Sequence, residues 1–169
     1  TPDQLKELSV LGAVRIEPDF LQPAWSLRST YYWTQTFPAN ATLEVSHQYR
    51  PAVGGTFFTP GALDDQAYAT QYCIDAGTRK ALAAMLAAQP PDGPMLLTEN
   101  IGYILTTGAN WMGSIGDFRL VVDKVDANSV VSFCLDGVKK ISPTEFEVRR
   151  KDFWPDRDLA ILIVRPPSD

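Results

Sequence analysis

Hydrophobic and polar residues alternate with a period of two along several stretches of this chain. The clearest stretch covers residues 25–37, and a second covers residues 42–49. We expect these runs to form a hairpin centred near Asn40, in which Trp33 lies opposite His47. One face of the hairpin is then buried and the other is wet. The apolar row predicted for the buried face comprises Trp25, Leu27, Tyr31, Trp33, Phe37, Leu43, Val45, His47 and Tyr49.

The rest of the chain predicts further strands and two helices. Alternation in residues 118–122 and 130–134 indicates a second hairpin. Residues 159–164 are continuously apolar, which is typical of a strand covered on both faces. The first helix begins after Thr1, which can cap it, and carries leucines at helical spacing. The second is predicted from about Asp75, a good N-cap, to Gln89.

These elements predict a mainly β fold. The expected architecture is an antiparallel β-sandwich of hairpins with an N-terminal helix and one central helix, and an α+β arrangement is the alternative. The chain has 169 residues, which is enough for one domain with a core. Since we find no repeat or linker, we expect residues 1–169 to form a single β-rich domain.

The charge of the chain disfavours several classes of partner. The formal net charge is −5 and the isoelectric point is about 4.8. An acidic chain repels phosphate backbones and anionic lipid head groups, so we expect no nucleic-acid partner. No apolar run approaches the ~18 residues of a membrane span, so we expect no span either.

The two cysteines, Cys73 and Cys134, are 61 positions apart, which matches none of the close Cys/His metal spacings. The simplest use of the pair is one long-range disulfide, which indicates an oxidising compartment. Two unrelated buried thiols are one alternative. A thiol enzyme is another, because Cys73 precedes a predicted helix N-terminus and His47 could act as its base. However, His47 lies in an apolar strand row, where a structural histidine is the usual case.

Two groups of carboxylates could carry chemistry. Asp152, Asp156 and Asp158 surround Trp154 and could attract calcium, but their spacing fits no EF-hand loop and Arg157 could neutralise them, which favours a solvated turn. Glu44, Glu99 and Glu145 could supply a glycosidase pair if the fold brought two of them within ~5–10 Å. We find no phosphate loop and no nucleophile elbow. We therefore assign no catalytic, cofactor-binding or metal-binding residue.

Two aromatic residues are candidate contact residues. Trp111 lies in a loop rich in glycine, where it could stack on a sugar or anchor a partner, although base rates favour a plug at the end of the sandwich. Tyr32 is the aromatic residue on the predicted wet face of its strand, so it is either covered by a sheet or makes contacts.

Several spaced motifs resemble a bacterial exported-protein family, the domain-of-unknown-function family numbered 4424. The motifs are Tyr31–Pro38, His47–Pro51, Asn110–Leu120, Val131–Cys134, Lys139–Thr144 and Asp152–Leu159. They occur in order along nearly the whole chain. The resemblance implies a secreted or periplasmic protein in which a β-rich region precedes this C-terminal part. It also implies that Cys73 and Cys134 are a structural pair, and it implies no activity.

We therefore expect a non-catalytic, extracytoplasmic binding or assembly module that is periplasmic or secreted and uses no cofactor. Its expected partner is the preceding N-terminal region of the same protein, or an envelope protein or ligand. The alternative is a carboxylate-based hydrolase that acts on glycans or peptides.

Overall fold

The computed structural model describes residues 1–17, 21–26, 29–51, 53–90 and 95–167. The chain forms two compact units, Thr1–His47 and Gln48–Asp169, which we call the N-terminal and C-terminal units. The single domain expected over residues 1–169 stays a prediction. Leu27, which we placed on the apolar row of the first hairpin, lies outside the described residues.

The N-terminal unit begins with helix α1, Pro2–Val10, as predicted. Thr1 caps it through a reciprocal capping box, in which the Thr1 hydroxyl accepts from the Gln4 backbone N–H and the Gln4 side chain accepts from the Thr1 amine. Two short strands follow, β1 (Val14–Ile16) and β2 (Leu21–Pro23), and they pair antiparallel. The backbone N–H of Ala13 donates to the carbonyl of Leu8, so the strand pair follows directly from the helix end.

The hairpin predicted from residues 25–37 and 42–49 is wrong as a hydrogen-bonded ladder. The described residues from 29 to 51 form no strand, although a turn lies at Asn40, whose φ is 56°. The rings of Trp33 and His47 do meet, with centroids 4.5 Å apart. The predicted burial is also wrong, because Tyr31 is 88% exposed and Phe37 74%. A two-stranded ribbon cannot bury its own apolar face, so alternation alone does not bury these side chains.

The described residues of the C-terminal unit contain three α-helices: α2 (Pro60–Asp64), α3 (Gln66–Tyr72) and α4 (Ala76–Ala87). The central helix is confirmed as α4, and the carboxylate of Asp75 caps it by accepting from the backbone N–H of Thr78 at 2.7 Å. Among the residues that the structure describes, no helix has the length and apolar character needed to cross a membrane.

In the part of the C-terminal unit that the structure describes, seven strands form two antiparallel sheets. The four-stranded sheet has the order β3–β4–β9–β6, with β3 at Phe57–Phe58, β4 at Leu96–Tyr103, β6 at Val130–Phe133 and β9 at Leu159–Arg165. The three-stranded sheet has the order β5–β8–β7, with β5 at Ile115–Asp123, β7 at Lys139–Lys140 and β8 at Glu145–Phe153. A 3-10 helix at Thr106–Asn110 lies between β4 and β5.

The second predicted hairpin is wrong. β5 pairs with β8, and β6 pairs with β9, so the two runs belong to different sheets. Between them the chain passes from one sheet to the other. Lys124 is 5% exposed there and donates to the carbonyls of Ala127 and Ser129, while Val125 has a φ of 65°. This buried lysine satisfies the backbone of a crossover connection rather than that of a tight hairpin turn.

Strand β9 lies between two apolar cores. Ile161 and Ile163 on one face pack with Val122 and Val148 of the other sheet. Leu162 and Val164 on the opposite face join a second core that contains Leu82 of α4. The helices, the four-stranded sheet and the three-stranded sheet therefore form three layers. The predicted mainly β fold is confirmed, and so is the prediction that residues 159–164 are covered on both faces.

Candidate functional site

Cys73 and Cys134 form a disulfide, with an S–S distance of 2.10 Å, as predicted. Cys73 ends α3 in the left-handed conformation, with a φ of 51°, and Cys134 directly follows β6. Neither of these cysteines is free. The hypothesis of a thiol enzyme is therefore wrong, because a bridged sulfur is no thiolate nucleophile. The alternative of two unrelated buried thiols is wrong as well.

A buried hydrogen bond joins the same two elements. The hydroxyl of Ser132, on β6, donates to the backbone carbonyl of Tyr72 at 2.8 Å. The disulfide lies one residue beyond each of these elements, at Cys73 and Cys134. The end of α3 is thus held against β6 by one covalent bond and one hydrogen bond, which makes this part of the surface rigid.

A groove of about 860 Å³, which we call the disulfide groove, opens beside this bridge. One side is the N-terminus of α4, at Asp75. Strand β6 and Arg150 of β8 also line the groove. The loop after β8 contributes Trp154 and Arg157 to the lining. Residues from three separate parts of the sequence, 73–78, 131–138 and 146–157, therefore meet at one surface.

Four of the five charged side chains that line the disulfide groove form two Arg–Asp pairs. The guanidinium of Arg150 donates to the backbone carbonyl of Asp136 at 2.6 Å and lies 3.7 Å from its carboxylate. The backbone there turns at Gly137, whose φ is 72°, and a Cβ at Gly137 would lie 3.6 Å from the guanidinium. Arg157 lies 3.4 Å from the Asp156 carboxylate, as expected for a cation that neutralises its neighbours. Each of the two guanidinium groups therefore has a hydrogen-bond acceptor from an aspartate beside it.

At the edge of the groove, hydrogen bonds from Thr78 lower the pKa of Asp75, and the largest contribution comes from the Thr78 backbone N–H. This carboxylate therefore remains ionised at neutral pH while it caps α4.

The other acidic residues near Trp154 have structural roles. Asp158 accepts from the backbone N–H of Leu105, the backbone N–H of Thr106 and the Thr106 hydroxyl, at 3.1, 3.0 and 2.7 Å. These bonds lower its pKa, the side-chain bond from Thr106 most strongly, and attach the loop before β9 to the 3-10 helix. Asp152 accepts from the Ser114 hydroxyl at 3.4 Å. Within the described ranges, no group of three or more His, Cys, Asp or Glu side chains could hold a metal ion.

The three glutamates considered for hydrolysis are distributed over the fold. Glu99, on β4, forms an ion pair with Arg165 at 2.8 Å. Glu145 is the first residue of β8, in the other sheet, and Glu44 belongs to the N-terminal unit. Glu99 therefore already has a structural partner in the Arg165 guanidinium. The hydrolase alternative gains no support from this arrangement and stays a prediction.

The two candidate contact residues are both exposed. Trp111 is 65% exposed, so the interpretation of this side chain as a plug for the end of the sandwich is wrong. Tyr32 is 90% exposed, in the N-terminal unit. Their roles as contact residues stay predictions. The sequence did not single out Trp154 as a contact residue, although the loop of charged residues around it was the signal that could have done so.

A second surface lies in the N-terminal unit. The residues from 29 to 47, which we call the extended segment, contain no helix or strand, and apart from the turn at Asn40 their described backbone forms no hydrogen bond from one peptide to another. Most of their large side chains face solvent. The exposed residues are Tyr31, Tyr32, Trp33, Phe37, Leu43 and Val45. Unpaired backbone and an uncovered aromatic row therefore occur together.

Comparison with known proteins identifies the family of this chain. A family model with the description "Domain of unknown function (DUF4424)" matches residues 1–162. No curated protein matches the chain, and no solved structure matches it.

Proposed function

From the premise that this chain belongs to the DUF4424 family, whose function is unknown, we propose that it is a non-catalytic assembly module of an extracytoplasmic protein. The observation that carries the proposal is the extended segment, in which unpaired backbone and exposed aromatic side chains coincide. The disulfide supports the compartment, because such bonds persist where thiols are not kept reduced.

The extended segment has the properties of a strand that lacks its partner. Its side chains alternate, so that Tyr31, Trp33 and Phe37 share one face of the extended chain. Outside the turn at Asn40, its backbone amides and carbonyls have no backbone partner among the described residues, so they can pair with another strand. Addition of a strand would satisfy these groups and cover the aromatic row in one step. A helix could cover the side chains, but it would leave the backbone groups unpaired.

The occupant that we propose is a strand of the β-rich region that the family resemblance places before this one in the same polypeptide. A β-rich region can supply an edge strand in the required extended conformation. Covalent attachment raises the effective concentration of that strand, so pairing does not need a large interface.

Hydrogen exchange tests this proposal. We expect amides of the extended segment to exchange rapidly in the 169-residue chain and at least tenfold more slowly in the full-length gene product, because strand pairing protects amides. Amides of α4, whose hydrogen bonds are already formed, serve as the internal control and keep their rates. Three results would overturn the proposal: equally rapid exchange in both proteins, protection of the 169-residue chain that rises with its concentration, or a gene product without a preceding β-rich region.

A matched pair of substitutions tests the role of the aromatic row. Trp33, in the extended segment, and Trp111, in the C-terminal unit, are exposed to a similar degree, 60% and 65%. In the full-length protein Trp33→Ser should increase exchange in the extended segment, and Trp111→Ser should not. In the 169-residue chain neither substitution should change exchange there. Equal effects of the two substitutions in the full-length protein would contradict strand pairing through this row.

A further inference from the structure

We propose that the disulfide groove binds a neutral oligosaccharide, which stacks on Trp154 and donates and accepts hydrogen bonds at the flanking Arg–Asp pairs. This site lies in the C-terminal unit and shares no residue with the extended segment. It adds a small-molecule ligand to the proposed assembly role.

The groove has the size and the aromatic surface that such a ligand needs. Its volume of about 860 Å³ falls within the range of small-molecule sites, roughly 300–1,000 Å³. Trp154 is 56% exposed at its edge. The preceding residue, Phe153, stacks on Phe118 with ring centroids 4.4 Å apart, which fixes the backbone that carries the indole. An exposed, anchored indole offers a flat apolar face to the C–H face of a sugar ring.

The polar groups of the disulfide groove suit the hydroxyls of a neutral sugar better than they suit a charged ligand. A sugar hydroxyl both donates and accepts, so it needs an acceptor and a donor close together. The pair of Arg150 with Asp136 and the pair of Arg157 with Asp156 each provide both within 4 Å. The groove contains three aspartates against two arginines, so its formal charge is close to zero. That balance does not favour a phosphate or a sulfated chain, which would require an excess of cations.

The groove is also preorganised. The disulfide and the Ser132–Tyr72 hydrogen bond join the lining residues at the end of α3 to those on and after β6, and Gly137 provides the turn that brings Asp136 to Arg150. A site that is ordered before binding loses less conformational entropy when a ligand arrives. This matters for sugars, because each hydroxyl that leaves water gains little net free energy.

The experiment is a titration of the 169-residue chain with three neutral hexasaccharides: cellohexaose, maltohexaose and chitohexaose. Indole N–H signals in a ¹H–¹⁵N spectrum report the contact, up to about 5 mM of sugar. We expect at least one probe to shift the Trp154 signal and leave the Trp111 signal unchanged. Trp154→Ala should weaken binding about tenfold, because the stacking surface is lost. Trp111→Ala is the matched control and should change the dissociation constant less than twofold.

A second variant tests the contribution of the polar groups to binding. Arg157→Gln keeps a donor but removes the charge, and it should weaken binding of the neutral sugar about threefold or less. A heparin-derived hexasaccharide provides the anionic comparison. The proposal is overturned by absence of binding for all three neutral probes, by equal affinity of the Trp154→Ala protein, or by binding of the sulfated probe alone with strong salt dependence. Each result leaves the exchange test of the extended segment unaffected, so the two proposals can fail separately.

Discussion

Loss of the disulfide should destabilise the C-terminal unit by about 4 kcal/mol. The perturbation is the double variant Cys73→Ala/Cys134→Ala, since a single substitution would leave a reactive thiol. The bond closes a loop of 61 residues. In the chain-entropy model a loop of this length loses about 14 cal/mol/K in the unfolded state, which corresponds to about 4 kcal/mol at 25 °C.

The conformation of Cys73 permits a matched control. Its φ of 51° is a left-handed conformation, in which a residue with a Cβ is strained. Cys73→Gly/Cys134→Ala removes the same bond and also relieves that strain. We therefore expect this variant to be about 0.5–1 kcal/mol more stable than the double alanine variant, after the larger unfolded-state entropy of glycine is counted.

Urea denaturation followed by tryptophan fluorescence and circular dichroism measures both effects. The m-value should rise in both variants, because an unfolded chain without the cross-link exposes more surface. Reduced wild-type protein should behave like the double alanine variant. A loss below about 1 kcal/mol with an unchanged m-value would refute the reasoning, since it would mean that the unfolded chain is not restricted by the bond.

Three further predictions concern the same unit. Leu82→Ala, at a fully buried position, should cost about 2–5 kcal/mol in urea denaturation, whereas Leu97→Ala, at a position 42% exposed, should cost about 1 kcal/mol or less; equal losses would contradict the assignment of the core. Burial raises the pKa of Tyr68 to about 12, so the stability that this phenol supports is complete below about pH 10 and is lost as the pH rises through 12. Its hydroxyl has no hydrogen-bond partner among the described residues, so Tyr68→Phe should keep or raise the stability at pH 7 and remove the alkaline loss; a Tyr68 absorbance transition near pH 10 would contradict this. Asp75→Ala should cost about 1 kcal/mol through loss of the α4 cap. Because the pKa of Asp75 is lowered in the folded state, its contribution is complete above about pH 4 and is lost as the pH falls through the lowered value; Asp75→Asn, a good cap without charge, should retain the stability at pH 7 and lose this pH dependence.

Local signals in the sequence predicted the elements that depend on local physics. Asp75 predicted the start of α4, and the apolar run at 159–164 predicted a strand covered on both faces. Alternation also identified β5 and β6 as strands, but it could not identify their partners. Alternation with a period of two determines which face of the strand a side chain occupies, but it does not indicate which other strand lies next to that strand. For that reason the predicted hairpin of β5 with β6 was wrong.

The groove was beyond prediction for a similar reason. Asp75, Asp136 and Trp154 come from distant parts of the chain, and only the order of strands in the two sheets brings them together. The extended segment presents the opposite case. Its strand pattern is clear in the sequence, yet a pattern of side chains cannot supply the neighbour that a strand requires.

The position of β9 has a consequence for biosynthesis. This strand is the last of the described strands to leave the ribosome, yet it lies between β4 and β6, which pair with each other only through it. Until residues 159–165 are synthesised, β4 and β6 therefore lack the strand that pairs with both of them. The apolar residues of the two cores that contact β9 also remain exposed during this time. A chain stopped by premature termination before residue 159 would lack the centre of its sheet, and we expect cellular proteases to remove it. Completion of this four-stranded sheet thus depends on translation through residue 165.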